Sequence, residues 1–160
     1  MFELRPTPLS DCVEIQCKTH WDERGSLTKT WQADMFDRFG LPKAFIEQFI
    51  STSRRGVIRG LHCQYPPHAC SKLVYCVSGE VLDVVVDIRW HSPTYGQHYK
   101  TPLSAESANM LYIPPGFVHG FCVLSDSATL VYNTTHVYVS ESDGGIRWNS
   151  AGIVWPVQSP

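Results

Sequence analysis

The chain has 160 residues, and its 13 Lys and Arg residues against 15 Asp and Glu residues give a formal net charge of −2. This balance excludes a generally basic nucleic-acid-binding protein, so we expect no nucleic-acid partner. Hydrophobic residues make up 43% and charged residues 18% of the chain, which excludes a mainly disordered protein. The length favours a single domain over residues 1–160.

The sequence gives no sign of a membrane or secreted protein. Its apolar runs are all well short of the roughly 18 residues that a membrane-spanning helix needs. The N-terminal segment MFELRPTPLS contains two charged residues and lacks the apolar core of a secretion signal. The six cysteines form no Cys-x-x-Cys pair, and Cys76 and Cys122 lie in apolar runs, which indicates buried, reduced thiols. We therefore expect a cytoplasmic protein without a membrane partner.

Short apolar runs recur between Gly, Pro, Ser and Asp residues, a pattern typical of an all-β protein. The runs that predict strands lie at residues 13–18, 27–31, 44–50, 56–62, 72–77, 80–88, 109–113, 119–124, 128–134 and 136–139. One short helix is predicted over residues 33–40, ended by Gly40. In the strand at 80–88, Asp83 shares a face with Val85, which indicates a strand between an apolar core and a polar-lined cavity. Many short strands at regular spacing favour a β-sandwich or barrel.

Several side chains of different chemistry lie in or beside these predicted strands. Alternation puts His62 and Gln64 on one face, beside a glycine that leaves space for a ligand. His119 follows a proline-glycine turn, Tyr132 lies within an apolar strand and Lys72 begins another. Each residue alone is compatible with a role in the core. Together in one barrel they would supply a base, a cation and an acid for proton transfer.

The two strand histidines also raise a metal-binding alternative. The run Pro114-x-Gly116-x-x-His119 resembles the second half-motif of cupin barrels, in which the histidine often binds metal. The first half-motif would require a His-x-His pair, and here Leu61-His62-Cys63-Gln64 supplies a single histidine. Two histidines are too few ligands for a stable zinc or iron site. We therefore predict no metal and no cofactor.

Ordered motifs along most of the chain resemble those of the dTDP-4-dehydrorhamnose 3,5-epimerases, a family of cupin sugar-nucleotide epimerases. They extend from about residue 5 to residue 156 and are Asp22-Glu23-Arg24-Gly25, Gly56-Val57-Ile58-Arg59-Gly60-Leu61-His62, Lys72-Leu73-Val74, Gly79-Glu80-Val81, Val86-Asp87-Ile88-Arg89, Ser92-Pro93-Thr94-Tyr95-Gly96, Leu103-Ser104-Ala105-Glu106, Ile113-Pro114-Pro115-Gly116-Phe117, His119-Gly120-Phe121 and Gly145-Ile146-Arg147-Trp148. The resemblance implies an all-β, cupin-type jelly-roll barrel with short helical segments. It also implies a nucleoside-diphosphate 4-keto-6-deoxyhexose as substrate, whose ketone acidifies the protons on C3 and C5.

The resemblance further implies roles for residues at matching positions. His62 matches the base, Tyr132 the acid placed opposite and Lys72 the cation beside the developing oxyanion. The residues that we expect to contact the substrate are Arg24, Lys29, Glu47, Phe49, Arg59, Gln64, His119, Tyr138 and Asp143. Arginine suits a diphosphate because its planar fork binds phosphate oxygens in pairs. Tyr138 matches an aromatic residue that stacks on the base, and Asp143 stands where the family has a nucleotide-contacting glutamate.

Some positions depart from the family pattern. Ser150 stands where the family has an aspartate that hydrogen-bonds the catalytic histidine, and Asp83 is a candidate substitute for that carboxylate. In the nucleotide pocket, Lys29 replaces a glutamate, and Glu47-Gln48-Phe49-Ile50 replaces a Gln-Asp-Asn-His segment. The loss of an amide to Phe49 removes hydrogen-bonding capacity, which leaves the identity of the nucleotide open.

The activity that we expect is 3,5-epimerisation of dTDP-4-dehydro-6-deoxyglucose. One alternative is an epimerase that acts at C3 or C5 alone, on a GDP- or CDP-linked sugar. Another is a sugar-nucleotide-binding protein that has lost catalysis together with the aspartate. The resemblance also implies a homodimer in which N-terminal strands cross to the partner barrel, and Phe2, Leu4, Val13 and Ile15 provide apolar residues for such an exchange.

Overall fold

The computed structural model of the chain describes residues 2–157. In this range the chain forms, in order, β1 (Glu3–Pro6), β2 (Val13–Gln16), β3 (Thr19–Asp22), β4 (Gly25–Thr28), α1 (Ala33–Arg38), β5 (Glu47–Arg54), β6 (Ile58–Gln64), β7 (Lys72–Ser78), β8 (Glu80–Asp87), β9 (His98–Ser104), β10 (Asn109–Ile113), β11 (Phe117–Val123), β12 (Ser127–Thr134), a 3-10 helix (Ser140–Ser142) and β13 (Asp143–Gly145). Helix α1 ends shortly before Gly40, whose φ of 71° suits a glycine after a helix.

Two antiparallel sheets pack face to face. The six-stranded sheet has the order β1-β2-β10-β7-β12-β5, and the five-stranded sheet has the order β13-β6-β11-β8-β9. Strands β3 and β4 form a separate two-stranded hairpin. This jelly-roll arrangement of short strands confirms the all-β, cupin-type prediction.

The main core lies between the two sheets and contains apolar residues from both. Leu130 of β12 and Phe121 of β11 belong to this cluster and are fully buried. Alternation along β8 sends Asp83 to the same inner face, as predicted. The outer face of β8 carries Val84, which packs in a second cluster with Trp155 of the C-terminal segment. The five-stranded sheet is therefore covered on both faces.

Some of the predicted strand positions are wrong. Residues 136–139 form a loop, because the N–H groups of Tyr138 and Val139 donate to side chains and not to a neighbouring strand. The predictions also omit β1, β3, β9 and β13. Three of these, β1, β9 and β13, are edge strands with one neighbour each. An edge strand tolerates polar residues and a proline such as Pro102 of β9, so its sequence signal is weak.

The cysteines of the chain are buried thiols. All six cysteines lie within the described residues, where they are buried and unpaired. Burial raises the pKa of the Cys12 thiol to about 12, so this thiol stays protonated.

In the part of the chain that the structure describes, no helix has the length and apolar character needed to cross a membrane.

Candidate active site

His62 and His119 are neighbours on adjacent strands of the five-stranded sheet. The antiparallel register puts His62 of β6 directly opposite His119 of β11, so both side chains project from the same face. The strands approach closely at Gly60, where a Cβ atom would lie 2.6 Å from the backbone oxygen of His119. A φ of +120° also favours glycine there. Glycine at position 60 therefore lets the two strands pack closely, and it also lines an open cavity of about 570 Å³ together with His62.

The Asp83 carboxylate pairs with His119 and not with His62. Nε2 of His119 lies 2.9 Å from Oδ2 of Asp83, and the two side chains are 2% and 0% exposed. In the register between β8 and β11, Asp83 lies opposite Phe121, two residues along the strand from His119. Burial raises the pKa of Asp83, and the nearby His119 opposes part of this rise. The prediction that Asp83 replaces the missing family carboxylate at His62 is wrong.

His62 faces a different carboxylate, which comes from β13. Nδ1 of His62 lies 3.8 Å from Oδ1 of Asp143, and the histidine side chain is 54% exposed. Burial lowers the pKa of His62, the charges of Lys72 and His119 lower it further, and Asp143 opposes them. The net pKa lies below the usual 6.5. The imidazole is therefore neutral at neutral pH and can accept a proton.

Lys72 extends into this region from the opposite sheet. It is the first residue of β7, and its Nζ donates a hydrogen bond to the backbone oxygen of His62 at 3.4 Å. Burial lowers the pKa of Lys72, while charges that include those of Asp143 and Asp83 oppose the change. A poorly hydrated ammonium group acts strongly on a ligand, because little water screens its charge.

Tyr132 of β12 is fixed by two side chains from β5. Its Oη lies 3.0 Å from Oγ of Ser51, and its ring stacks on Phe49 with centroids 4.7 Å apart and an interplanar angle of 12°. Across the sandwich, the Tyr132 ring lies edge-on to His119 at 6.2 Å. Burial raises the pKa of Tyr132 to about 12, so the hydroxyl keeps its proton at neutral pH.

These side chains line two adjoining cavities. The inner cavity, of about 170 Å³, is lined by Phe49, Ser51, Arg59, His62, Lys72, His119, Gly120, Phe121 and Tyr132. The outer cavity, of about 410 Å³, shares Phe49, His62 and Lys72 with it and is also lined by Glu47, Cys63, Gln64, Cys70, Thr134, His136, Tyr138 and Asp143. Since β6 and β12 belong to different sheets, His62 and Tyr132 face the inner cavity from opposite walls.

A loop beside the outer cavity is held by bonds from side chains to its backbone. Glu47 accepts a hydrogen bond from the N–H of Tyr138 at 2.8 Å. The amide of Gln64 donates to the carbonyl of Val137 at 3.1 Å and accepts from the N–H of Val139. Gln64, predicted as a substrate contact, therefore has its amide engaged within the protein and anchors the loop. The Tyr138 side chain remains exposed at the rim.

The basic residues predicted near the substrate lie in three different places. Arg59 lines the inner cavity, and its Nε donates to Oγ of Ser53 at 2.8 Å. Lys29 lines a separate cavity of about 610 Å³ that shares Glu47 with the outer cavity. Arg24 lies at the tip of the β3–β4 hairpin, where it forms an ion pair with Asp22. The described part of a single chain does not bring Arg24 to the cavity.

Ser150 also lies apart from the two cavities. Its Oγ donates to the backbone carbonyl of Arg147 at 2.7 Å and closes an exposed turn. Ser51, which contacts Tyr132, was not predicted as a site residue. Extension of the predicted strand at 44–50 to its observed end at Arg54 would have put Ser51 on the same face as Phe49. His136, which lines the outer cavity, was not predicted as a site residue either, because residues 136–139 were predicted as a strand and form a loop.

The donor set around the cavities is not arranged for a metal ion. Within residues 2–157, no group of three or more His, Cys, Asp or Glu side chains is placed to hold one. Of the two histidines considered as ligands, His119 has Nε2 engaged by Asp83.

Comparison with known proteins identifies the family. A sequence profile described as dTDP-4-dehydrorhamnose 3,5-epimerase matches residues 6–159. The chain belongs to the dTDP-4-dehydrorhamnose 3,5-epimerase family. It is 45% identical to the dTDP-4-dehydrorhamnose 3,5-epimerase of Shigella flexneri, over 96% of this chain and 87% of the relative. It is 37% identical to a dTDP-4-dehydrorhamnose 3-epimerase of Streptomyces niveus, over 99% of this chain and 78% of the relative.

Solved structures of the 3,5-epimerase family have the same fold. The Bacillus anthracis enzyme, crystallised with TDP and PPi bound, superimposes with a TM-score of 0.97 at 34% identity, over 100% of this chain and 93% of that chain. The Legionella pneumophila enzyme, in complex with dTDP-4-keto-L-rhamnose, gives a TM-score of 0.94 at 37% identity, over 99% of this chain and 85% of that chain. As a member of this epimerase family, the chain is an isomerase.

Proposed function

We propose that this chain epimerises a dTDP-linked 4-keto-6-deoxyhexose at C3 and C5 without a metal or cofactor, with His62 as the base and Tyr132 as the acid. The observation that carries the proposal is that His62 and Tyr132 face one cavity from opposite sheets. A planar enolate held between them would meet a base on one face and an acid on the other. Inversion at a carbon atom requires this arrangement.

Each inversion begins at the C–H bond next to the C4 ketone. His62 takes the proton, and the electron pair of the C–H bond forms an enolate whose negative charge lies on the ketone oxygen. The ammonium of Lys72 stabilises that oxyanion, and a preorganised charge in a dry site contributes about 3 kcal/mol or more. Tyr132 then donates its proton to the opposite face of the carbon, which restores the ketone. Transfer of the proton from His62 back to Tyr132 through solvent completes the cycle.

The protonation states of the two groups support these roles. The pKa of His62 lies below 6.5, so the base is neutral when the substrate binds. The pKa of Tyr132 is raised to about 12, so the acid is protonated at that point. Both groups therefore begin the reaction in the form that the mechanism needs.

The outer cavity is the proposed site of the nucleotide. Tyr138 is exposed at its rim, where its ring is free to stack on a base. Arg59 donates Nε to Ser53, which leaves its terminal nitrogens for phosphate oxygens. Phe49 offers an apolar surface between the inner and outer cavities. We assign thymidine as the nucleoside because the Bacillus anthracis relative was crystallised with TDP.

A homodimer in which the partner supplies Arg24 is part of the proposal. Trp21 and Leu27 of the β3–β4 hairpin are 76% and 66% exposed. An isolated two-stranded hairpin is only marginally stable, so a second barrel that covers these side chains would stabilise it. Phe2 and Ile15 are instead buried within their own chain, where β1 pairs with β2. We therefore assign the intersubunit contact to the hairpin and not to β1 and β2.

The cytoplasm is the proposed location. Six buried, unpaired thiols within residues 2–157 suit a reducing compartment.

Hydrogen exchange in heavy water tests the proposed function. The purified chain is incubated with dTDP-4-dehydro-6-deoxyglucose, and deuterium at C3 and C5 is followed by NMR. We expect deuterium at both positions and inversion of both centres. Exchange at one position would contradict 3,5-epimerisation and identify a single-carbon enzyme. No exchange, together with retained dTDP binding, would identify a binding protein. Faster exchange with a GDP- or CDP-linked sugar would contradict the assignment of thymidine.

A further inference from the structure

Phe49 and Tyr132 form an aromatic pair at the edge of the six-stranded sheet. The edge strand β5 runs antiparallel to β12, and the register puts Phe49 directly opposite Tyr132. Side chains that lie directly opposite each other project from the same face of a sheet and are close enough to touch. The two rings stack with centroids 4.7 Å apart and an interplanar angle of 12°. The pairing of the two strands therefore determines that Phe49 covers one face of the phenol ring.

Contacts on the other face of these strands fix the register that makes the pair. Nε2 of Gln48 donates a hydrogen bond to Oδ1 of Asn133 at 2.7 Å. The hydroxyl groups of Thr52 and Thr129 lie 2.9 Å apart. A slip of one residue would break both contacts and would turn Phe49 to the other face of the sheet. The aromatic stack is therefore a fixed feature of the sheet.

Two side chains of β5 hold the phenol of Tyr132 in different ways. Oγ of Ser51 lies 3.0 Å from the hydroxyl oxygen and fixes the position of that one atom. A single hydrogen bond at the tip of a ring still lets the ring turn about it. The flat contact with Phe49 restricts this rotation, because a tilted ring would lose the stack. In the orientation that results, the Tyr132 ring lies edge-on to His119 across the inner cavity, at 6.2 Å between centroids.

Phe49 also forms the wall between the two cavities. It lines both the inner and the outer cavity. Phe49 is 44% exposed, whereas Tyr132 behind it is 7% exposed. A smaller side chain at this position would open the covered face of the Tyr132 ring to the outer cavity. The phenol would then have room to turn away from the inner cavity.

We propose that Phe49 holds the phenol of Tyr132 toward the inner cavity, so that the enolate is protonated on the face opposite His62. Phe49 acts through Tyr132 and is a positioning residue. This inference rests on the proposed function, in which His62 is the base and Tyr132 is the acid. It gives Phe49 a role beyond the substrate contact that the family resemblance implies.

The role of Phe49 can be measured because the enolate can regain a proton in two ways. Tyr132 donates its proton to the face opposite His62, and the carbon atom is inverted. When the phenol is turned away, the imidazolium of His62 returns a proton to the face from which it came, and the configuration is retained. The His62 side chain is 54% exposed, so in heavy water its proton is replaced by deuterium from the solvent. Loss of Phe49 should therefore increase deuterium exchange with retention relative to inversion.

The variant Phe49→Leu keeps an apolar side chain and removes the flat ring. It is incubated in heavy water with saturating dTDP-4-dehydro-6-deoxyglucose, and early in the reaction NMR measures deuterium in the unreacted sugar and in the inverted product. We expect the ratio of retention to inversion to rise about tenfold or more, since a small displacement of a catalytic group has a large effect on rate. Phe49→Tyr keeps a stacking ring and should give a ratio near that of the wild type.

The matched control is Ile50→Ala. Ile50 is the next residue of β5, is exposed and projects from the other face of the sheet. It should leave the ratio of retention to inversion unchanged. An unchanged ratio in Phe49→Leu, or an equal rise in Ile50→Ala, would overturn the proposal. Weaker dTDP binding by Phe49→Leu with an unchanged ratio would also overturn it and leave Phe49 as a nucleotide contact only.

Nuclear Overhauser effects between ring protons test the position of Tyr132 without relying on activity. The Tyr132 signals are assigned by their loss in Tyr132→Phe, and those of His119 by their loss in His119→Gln. We expect a cross-peak between the two rings in the wild type and in Phe49→Tyr, and a much weaker one in Phe49→Leu. An unchanged cross-peak in Phe49→Leu would overturn the proposal. If the wild type fails to exchange either proton, the proposed function fails, and the cross-peak still decides whether Phe49 positions Tyr132.

Discussion

Truncation of Asp83 should strongly destabilise the barrel. Its carboxylate is fully buried and lies 2.9 Å from Nε2 of His119, whose ring is also buried. In Asp83→Ala this ring nitrogen would lose its partner inside the core. Breaking a buried pair of this kind costs about 3 to 5 kcal/mol. For a chain of this size, where each kcal/mol changes the Tm by about 2 to 4 °C, the Tm should fall by about 6 to 20 °C.

The isosteric variant Asp83→Asn should cost much less. Its amide oxygen still accepts a hydrogen bond from His119, and a neutral amide avoids the burial of a charge. Oδ1 of Asp83 has no hydrogen-bond partner among the described residues, so the amide nitrogen would take that position. An unsatisfied neutral group there costs about 1 to 3 kcal/mol. The Tm of Asp83→Asn should therefore lie between those of Asp83→Ala and the wild type.

The pH dependence of stability gives a second test of the Asp83 environment. Burial raises the pKa of this carboxyl above its ordinary 3.8, so the folded state retains the proton to higher pH than the unfolded state does. The stability that this group contributes is complete below 3.8 and is lost as pH rises through the raised value. Urea unfolding of the wild type and of Asp83→Asn, at acidic and at mildly alkaline pH, measures this loss of stability. Two results would refute this role of Asp83. One is a free energy of unfolding of the wild type that rises with pH relative to that of Asp83→Asn, and the other is an Asp83→Ala variant that unfolds like the wild type.

Three further predictions concern the catalytic groups and the subunit contact. Tyr132→Phe should slow epimerisation by about 10²- to 10⁴-fold because the acid is lost. Product formation followed by NMR measures the rate, and a rate near that of the wild type would exclude Tyr132 as the acid. Lys72→Met should lower kcat by about 10²- to 10³-fold. Burial lowers the pKa of Lys72, so wild-type activity should fall as pH rises through a value below 10.5, an alkaline limb that steady-state kinetics can detect. The double variant Trp21→Ser, Leu27→Ser should sediment as a monomer and should bind dTDP more weakly. A wild type that sediments as a monomer at micromolar concentration would contradict the proposed dimer.

The strands in the middle of the sheets were predictable from the sequence, and three of the four edge strands were not; the exception is β5. Strands β8 and β10 lie within one residue of their predicted bounds, because central strands are continuous apolar runs with clear ends. The edge strands β1, β9 and β13 have a single neighbour and little need for apolar residues. Strand β13 consists of Asp143 and two glycines, and it forms because its backbone fits against β6.

The residues of the site were predictable individually, but some of their partners were not. Alternation along β8 indicates which face carries Asp83 and leaves open which of two strand histidines it meets. The register between β8 and β11 brings it to His119. The contact between Asp143 and His62 depends on the packing of a glycine-containing strand against β6, which no local pattern reports. The position of Arg24 on an isolated hairpin is likewise a property of the folded chain.

The most direct test of the central claim, that His62 removes the proton, is hydrogen exchange in heavy water by His62→Asn. Asparagine keeps a polar, hydrogen-bonding side chain but cannot accept a proton at neutral pH. Binding of dTDP serves as the control, because the groups proposed for the nucleotide are unchanged. We expect exchange at C3 and C5 in the wild type and no detectable exchange at either carbon in His62→Asn, with dTDP affinity near that of the wild type. Substantial exchange in a folded His62→Asn protein would contradict the role of His62 and assign the base to another residue.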